Sequence, residues 1–296
     1  MTAPAPGRTA DTVSATTRTP RIRRGATTRA GGTVLTALTW VIGLLFVSPV
    51  LWLVLTAFKE ENQAATDPPT LFFQPTLDRF ATVLGADFLP YLGNSAIATL
   101  ASTLLVLVLG LPAAYALSVA PVKRTQDVLF FFISTKMLPV VAVVVPIYVA
   151  AAHLSMLDNV WTLVVLYTAM NLPIAVWMLR SFFLEVPAAI VEAARMEGAG
   201  LPRVLWSVMV PIMAPGIAAT ALICMIFSWN EFFFAVNLTA AQAATVPVFL
   251  TGFITSEGLF VAQLSAAVVM ASLPIVVIGW TAQRQLVRGL SMGAVK

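Results

Sequence analysis

Six long apolar stretches constrain what this chain can fold into more than any other feature of its sequence. The first covers residues 31–58 and contains no charged side chain. About 20 apolar residues in a helix suffice to cross the hydrocarbon core of a bilayer, where every backbone polar group must find a partner within the protein. Hydrophobic residues make up 59% of the sequence and charged residues 10%, whereas soluble domains carry about a quarter charged residues. The sequence therefore predicts an integral membrane protein made of helices.

The other five apolar stretches predict five further membrane spans. They lie at about residues 94–120, 128–151, 160–179, 212–236 and 261–283. Because proline removes a helical N–H donor, Gly110 with Pro112 is expected to interrupt the second span, and Asn171-Leu172-Pro173 to break the fourth. Leu138-Pro139 and Pro146 are expected to bend the third span. The predicted fold class is an all-α membrane protein with six transmembrane helices.

The first 30 residues differ in composition from everything that follows. They are rich in Thr, Ala, Pro and Arg and show no hydrophobic periodicity, which is typical of a disordered tail. The uncharged run that follows is much longer than the 7–15-residue core of a signal peptide, so it is expected to remain as a membrane helix. We therefore divide the chain into a basic tail at 1–30 and a transmembrane domain at 31–296.

The distribution of Lys and Arg predicts how the chain is oriented, because cytoplasmic loops carry an excess of both. If the N-terminus is cytoplasmic, the tail, the 121–127 and 180–210 loops and the C-terminus hold fourteen of the 17 basic residues. The outer segments hold only Lys59 and Arg79, and Lys136 falls within the third span. Both termini are therefore predicted to be cytoplasmic.

A short polar segment at about 185–211 separates the fourth and fifth spans. Pro187 suits the first turn of a helix, and residues 189–197 are mostly good helix formers. Gly198 and Gly200 can adopt the left-handed conformation that ends a helix. The segment is therefore predicted to begin with a short helix that stops at these glycines.

A second short helix is predicted to follow, because Pro202 can begin a helix and Pro211 ends or kinks one. The first helix places Glu192, Arg195 and Met196 on one side. Such an elbow, with one charged face, suits docking into a groove on another protein. A cytoplasmic loop with a merely solvated helix is the alternative.

The spacing of residues in the elbow favours docking. Glu192-Ala193-Ala194 is followed after three residues by Gly198, and after nine more by Val208, one residue, Val210 and Pro211. This order resembles the coupling loop of bacterial ABC importer permeases. The resemblance implies that the elbow sits in a cleft of a cytoplasmic ATPase subunit and transmits its closure to the membrane helices. The residues that it assigns to coupling are Glu192, Ala193, Ala194, Glu197, Gly198 and Pro211.

Further stretches extend the resemblance to about residues 32–296. They are Asn94-Ser95, residues 113–117, Leu138-Pro139, residues 229–232 and residues 289–296. Together they resemble the carbohydrate-importer permeases related to the maltose permease, which are binding-protein-dependent inner-membrane components. This implies a type I ABC importer fold in a bacterial plasma membrane. It also implies a heterodimer with a second permease, two ATP-binding subunits and an extracytoplasmic substrate-binding protein or lipoprotein.

Two stretches, residues 134–139 and 170–174, resemble the branch of that family that handles sugar alcohols such as sorbitol or mannitol. The same family membership implies a transport subunit rather than an enzyme, since partner subunits would hydrolyse ATP. The sequence itself contains no G-x-x-x-x-G-K-[ST] phosphate loop. The expected partners are these subunits and membrane lipid, with no nucleic acid.

Five residues are candidates for the translocation pathway: Lys136, Asn171, Trp229, Asn230 and Glu231. A charge inside a span is costly and often functional, although Lys136 could also extend to the membrane surface. Asn171 could line a cavity at a helix break, or the kink could be satisfied by a neighbouring helix. Trp229 could stack on a sugar ring beside two hydroxyl-binding side chains, or belong to an interfacial aromatic belt.

Two other classes of function are compatible with a membrane protein. A stand-alone secondary transporter or channel is the main alternative, but proton-coupled carriers usually need carboxylates or histidines within their spans. Here the spans offer only Lys136, with Glu231 near an end. A membrane enzyme or a metal centre finds no support, since the chain has a single histidine, His153, and a single cysteine, Cys224. No metal or cofactor is expected.

Overall fold

A computed structural model describes residues 29–119, 123–255 and 258–294, with side chains at 33–119, 123–255 and 259–283. The predicted tail therefore lies outside the described residues except for its last two positions, as do the side chains of the C-terminal stretch. Contacts divide the chain after Val50 into two units, Met1–Val50 and Leu51–Lys296.

Helices form nearly all of the described regular structure. They are α1 Arg29–Thr56, α2 Glu61–Ala64, α3 Asp78–Gly85, α4 Phe88–Ser118, α5 Thr125–Lys136, α6 Val140–His153, α7 Val160–Glu185, α8 Ala188–Met196, α9 Leu201–Arg203, α10 Val210–Ile212, α11 Ala214–Trp229, α12 Phe233–Leu238, α13 Val246–Thr251 and α14 Val261–Ala294. A π-helical segment, Val204–Met209, joins α9 to α10. We call the continuous helix Leu201–Ile212 the second elbow helix. One small antiparallel hairpin pairs β1 Ile254–Thr255 with β2 Gly258–Leu259.

The described helices confirm an all-α membrane fold. Four are long and apolar enough to cross a bilayer, namely Thr33–Thr56 within α1, all of α4 and α7, and Val261–Gln283 within α14. Two further crossings arise if each sharply bent pair counts as one span. These pairs are α5 with α6, which meet at 86°, and the second elbow helix with α11, which meet at 82°.

The predicted interruptions of the second and fourth spans are wrong. Helix α4 continues through Gly110 and Pro112, and α7 continues through Asn171 and Pro173. Proline deprives only one carbonyl, that of the residue four positions earlier, of its helical donor. In a packed membrane bundle, neighbouring helices and small local adjustments accommodate such a loss, so the helix does not have to end.

The third span bends at one of the two sites predicted for it, and the fifth span is shorter than predicted. The third breaks between Lys136 and Val140, as the Leu138-Pro139 pair predicts, whereas α6 is continuous through Pro146. The fifth begins at Ala214 and ends at Trp229, which is shorter than the predicted 212–236. The apolar run continues past its end, but a separate short helix, α12, takes up those residues.

The core of the second unit is formed where α4 lies along α7 and α11 packs against both. Toward the elbow, buried side chains of α4 and α7 form one cluster with residues of α8 and the second elbow helix. Its members include Leu111, Tyr115, Val176, Leu179, Phe183, Val191, Ala194, Val204 and Met209. The elbow is therefore packed onto the same apolar core as two of the membrane helices.

Carboxylates hold the loops at the opposite end of the bundle by accepting hydrogen bonds from backbone N–H groups. Asp158, in the turn between α6 and α7, accepts from the four consecutive residues Ala240–Ala243 at 2.9–3.2 Å. Glu61 accepts from Ala262 and Gln263 at 2.9 and 3.2 Å. Glu61 thereby satisfies free N–H groups in the first turn of α14, where negative charge is favoured.

Replacing Asp158 with Asn is expected to free the loop at Ala240–Ala243. Partial burial acts to raise the pKa of the Asp158 carboxyl, but the four N–H donors outweigh it and hold the pKa below its ordinary value. Hydrogen bonds to charged groups are worth about 1.5–3 kcal/mol, so hydrogen exchange of these amides should speed up roughly tenfold or more.

The exposed residue Asp127 provides the matched control, because its one ion pair within the described part of the chain is with the neighbouring Arg124. Asp127→Asn should leave exchange at Ala240–Ala243 unchanged. Because the pKa of Asp158 is lowered in the folded chain, its contribution is complete above the ordinary value of about 4 and is lost as pH falls through the lowered value. Equal exchange in wild type and Asp158→Asn would show that the loop is held by other contacts.

Candidate functional site

The elbow begins with α8, and Gly198 ends it as predicted. Gly198 has φ +82°, in the left-handed region that favours glycine. Its N–H donates to the carbonyl of Arg195 and the N–H of Ala199 donates to that of Ala194, both at 3.0 Å. These bonds satisfy carbonyls that the end of α8 would leave free. Gly200 is different, because its φ of −70° is extended backbone, and its predicted left-handed role is wrong.

Helix α8 has one packed and one exposed face. Val191 and Ala194 are buried against the core cluster. Glu192, Arg195 and Met196 are exposed, and Met196 has 89% of its surface accessible. The helix begins after Pro187, which is the capping residue rather than the first helical residue. Helix α8 therefore has a charged face that is exposed and an apolar face that is buried.

The second elbow helix joins α8 to the fifth span. Pro202 lies in its first turn, as predicted. Pro211 lies two residues after the end of the π-helical segment, and the helix ends at Ile212. After Met213, α11 continues at 82° to it. Proline cannot donate to the preceding turn, and π-helical turns often mark functional sites. The predicted end at Pro211 is confirmed to within one residue.

A cavity of about 460 Å³ lies between α8 and the ends of α4 and α7. Phe183 and Val191 contribute apolar surface, and Ser118, Glu192 and Arg195 contribute polar groups. Beside this cavity α8 is not packed solidly against the spans. Glu192 and Arg195 therefore border both this cavity and the exposed face of α8.

Among the pathway candidates, Asn171 is fully buried and ties helices together. Its Nδ2 donates to the Oγ of Ser228 in α11 at 2.9 Å. The same Oγ lies 3.2 Å from the Oγ of Ser102 in α4. Hydrogen bonds of this kind associate helices in membranes. Lys136 is separate from this network and lies exposed at the last residue of α5.

The Trp229-Asn230-Glu231 turn follows directly after Ser228. The Trp229 ring is buried, and its Nε1 donates to the carbonyl of Ala271 in α14 at 3.2 Å. Trp229 and Asn230 line a cavity of about 320 Å³ together with residues of α13 and α14. Glu231 caps α12, since its two carboxylate oxygens accept from the N–H groups of Phe234 and Ala235.

The structure thus connects two sequence candidates through a residue that sequence analysis missed. Ser228 links Asn171 to the turn at Trp229, and Ser102 extends the link to α4. A hydroxyl within an apolar span was the available signal, because polar side chains in membrane helices usually face a partner. Within the described ranges, no three His, Cys, Asp or Glu residues lie close enough to hold a metal ion.

The fold is that of a polytopic helical membrane protein with a two-helix elbow between its fourth and fifth spans. The family model for the binding-protein-dependent transport system inner membrane component matches residues 106–291, more than half of the chain. The chain belongs to this family, and it is therefore a permease subunit of an ABC transporter.

Named relatives align over most of their own length. The probable ABC transporter permease protein y4oR of Sinorhizobium fredii is 36% identical over 91% of this chain and 98% of its own. The diacetylchitobiose uptake system permease DasC of Streptomyces coelicolor is 32% identical over 88% and 95%. The trehalose transport system permease SugB of Mycobacterium tuberculosis is 31% identical over 87% and 95%.

Solved structures agree on the fold. One chain of a bacterial ABC transporter that imports the acidic polysaccharide alginate superposes with a TM-score of 0.70 at 24% identity, over 86% of this chain and 96% of its own. The MetNI methionine ABC transporter gives a TM-score of 0.55 at 17% identity, over 68% and 95%. At these identities the likeness concerns the fold alone, which is that of an ABC importer permease.

Proposed function

We propose that this chain is the membrane subunit of a carbohydrate importer. Two relatives that align over nearly their whole length are named for diacetylchitobiose and trehalose uptake. The cavity lined by Trp229 and Asn230 supports the same class of substrate. An aromatic ring suits the C–H face of a sugar, and an amide suits its hydroxyls. In this proposal Lys136, Asn171 and Glu231 contribute to the pathway, Asn171 and Glu231 by fixing its walls.

Coupling to ATP hydrolysis is assigned to the elbow. The observation that carries this assignment is that α8 exposes charged side chains on one face and packs its other face on the α4–α7 core. Gly198 ends this helix in the left-handed conformation. An ATPase subunit that holds Glu192, Ala193 and Glu197 would move α8 as it closes, and the apolar face of α8 would transmit that movement. Ala194 provides the contact with the core and Pro211 the end of the second elbow helix.

The partners in this proposal are a second permease, two ATP-binding subunits and an extracytoplasmic binding protein. The sequence lacks a phosphate-binding loop of its own, so ATP would be hydrolysed by another chain. The concentration of basic residues in the tail, the elbow and the C-terminus supports cytoplasmic termini in a bacterial plasma membrane.

Affinity purification of this chain from its native membrane tests the proposal. We expect an ATPase and a second permease to be recovered, and hydrolysis to rise when a binding protein loaded with a disaccharide or with sorbitol or mannitol is added. Recovery of this chain alone, without ATPase activity, would support the stand-alone carrier instead.

Charge reversal at Glu192 sharpens this test. Glu192→Lys should reduce the amount of ATPase recovered while recovery of the second permease stays unchanged, because the altered side chain lies on the exposed face of α8. Glu60→Lys, at an exposed residue before α2, is the matched control and should leave both amounts unchanged. Equal ATPase recovery from the two variants would contradict a docking role for Glu192.

A further inference from the structure

One face of α7 lies against both ends of the turn that carries Trp229. Asn171 donates to the Oγ of Ser228, directly before the turn, at 2.9 Å. Tyr167 precedes Asn171 by four residues, so the two side chains share one face of the helix. The phenol hydroxyl of Tyr167 faces the carboxylate of Glu231, at the other end of the turn. Helix α7 is therefore placed to control the position of the whole turn.

The hydroxyl of Tyr167 also faces a residue beside a second segment of the same cavity. Tyr167 has 1% of its surface exposed, and a further polar neighbour of its hydroxyl is Thr245. Thr245 immediately precedes α13, which lines the cavity of about 320 Å³ together with Trp229 and Asn230. Tyr167 does not line the cavity itself. It can therefore act on a bound molecule only through other residues.

The hydroxyl groups of Tyr167 and Thr245 are both buried without a completed hydrogen bond. A buried hydroxyl without a partner is unfavourable, because it has given up its bonds to water. Glu231 can supply the partner of Tyr167. Its carboxylate oxygens accept from the N–H groups of Phe234 and Ala235, and a carboxylate has about four lone-pair positions. A small shift of the turn toward α7 would complete the bond from the phenol.

We propose that Tyr167 is a positioning residue of the sugar cavity, and that its hydroxyl bonds the carboxylate of Glu231 when a sugar fills the cavity. The inference rests on the proposed carbohydrate importer function. Contact with the sugar fixes the position of Trp229, and Glu231 moves with it because one residue separates the two. A bond made only in the loaded state stabilises that state over the empty one, and such a difference is what shifts a conformational equilibrium.

Removal of the phenol hydroxyl tests this role. Tyr167→Phe and the wild type would be purified with their co-purifying subunits and placed in lipid nanodiscs. Thermal unfolding would be followed over a range of concentrations of trehalose, sorbitol and mannitol, without the binding protein, so that the shift reports on sugar bound to the membrane subunits. Tyr115→Phe is the matched control. Its hydroxyl is also buried and unpartnered, but its ring lies against Phe183 in the core cluster near the elbow.

The unfolding temperature of Tyr167→Phe without sugar should equal that of the wild type or exceed it slightly, because the lost hydroxyl has no completed bond there. The sugar concentration that gives half of the maximal shift should rise about tenfold or more, as for the loss of a hydrogen bond to a charged group. Tyr115→Phe should leave that concentration unchanged. A lower unfolding temperature without sugar, together with unchanged sugar binding, would give Tyr167 a purely structural role and overturn the proposal.

A second variant shows whether Tyr167 acts through Glu231. Glu231→Gln keeps an oxygen that can accept but removes the charge, and a charged acceptor makes a hydrogen bond roughly twice as strong. Adding Tyr167→Phe to Glu231→Gln should therefore weaken sugar binding by a much smaller factor than in the wild type. The same factor in both backgrounds would overturn the assignment.

Failure of this inference can be told apart from failure of the proposed function. If no sugar shifts the unfolding of the wild-type complex, the cavity binds none of them and the role of Tyr167 is overturned. The importer function would still stand if a sugar-loaded binding protein stimulates ATP hydrolysis by the same complex. Absence of that stimulation would refute the importer function itself.

Discussion

Substitution of Gly198 by Val should abolish uptake while the chain still inserts into the membrane and assembles with its partners. Gly198 adopts φ +82° at the bend of the elbow. Left-handed backbone costs an ordinary L-residue about 1–2 kcal/mol, and a β-branched side chain is a clear outlier there. The valine should therefore shift the backbone, break the two hydrogen bonds that close α8, and change the angle between the arms.

The environment of Gly198 makes this effect conformational rather than steric. A Cβ at this position would meet no atom within 4 Å, so the size of the new side chain creates no clash inside the chain. Gly198→Asn is the matched control, because asparagine enters the left-handed region far more readily than valine.

Uptake into vesicles, membrane insertion and recovery of the partner subunits should be measured for both variants. We expect Gly198→Asn to retain most of the uptake and Gly198→Val to retain none, with equal insertion and assembly. Equal uptake by the two variants would show that the left-handed bend is unnecessary for coupling.

Features that depend on neighbouring residues in the sequence could be predicted without the structure. The membrane helices follow from uninterrupted apolar runs, and the elbow follows from good helix formers placed before Gly198 and Pro202. Both signals depend on residues within one or two helical turns, so tertiary packing does not change the structure that they predict. The end of the second elbow helix near Pro211 is of the same kind.

Features that depend on packing could not be predicted in this way. The composition around Pro112 and Pro173 favours a break, yet the packed bundle keeps α4 and α7 continuous. Asp158 and the amides of Ala240–Ala243 are about eighty positions apart in sequence. The hydrogen bonds among Asn171, Ser228 and Ser102 likewise join three helices that no local sequence pattern connects. The roles proposed for these three residues in transport are predictions from their hydrogen bonds.

The largest effect on folding is expected at Gly216, in the first turn of α11. A Cβ built on Gly216 would lie 2.5 Å from Cγ of Phe182 in α7. The Cγ atom is close to the backbone and moves little with the ring, so the clash cannot be relieved by a small rotation. Gly216→Ala should therefore force α11 away from α7 and lower the free energy of unfolding by about 1–3 kcal/mol, as overpacking generally does.

A glycine in open surroundings gives the opposite expectation. A Cβ on Gly279 in α14 meets nothing within 4 Å, and alanine is preferred over glycine in a helix by up to about 1 kcal/mol. Gly279→Ala should therefore stabilise the chain slightly, or leave it unchanged, in thermal unfolding of the purified complex. Equal effects of the two substitutions would contradict the close packing of α11 on α7.

Removing the clashing ring should rescue the alanine at Gly216. In Phe182→Ala the Cγ atom is absent, and residues in direct contact couple by about 0.5–3 kcal/mol in double-mutant cycles. The double variant Gly216→Ala with Phe182→Ala should therefore be more stable than the sum of the two single losses predicts. Strictly additive losses would mean that Gly216→Ala acts elsewhere. A favourable coupling energy between the two substitutions would show that the start of the fifth span packs directly against α7. The second elbow helix ends two residues before that start, so its end would be held near α7 as well.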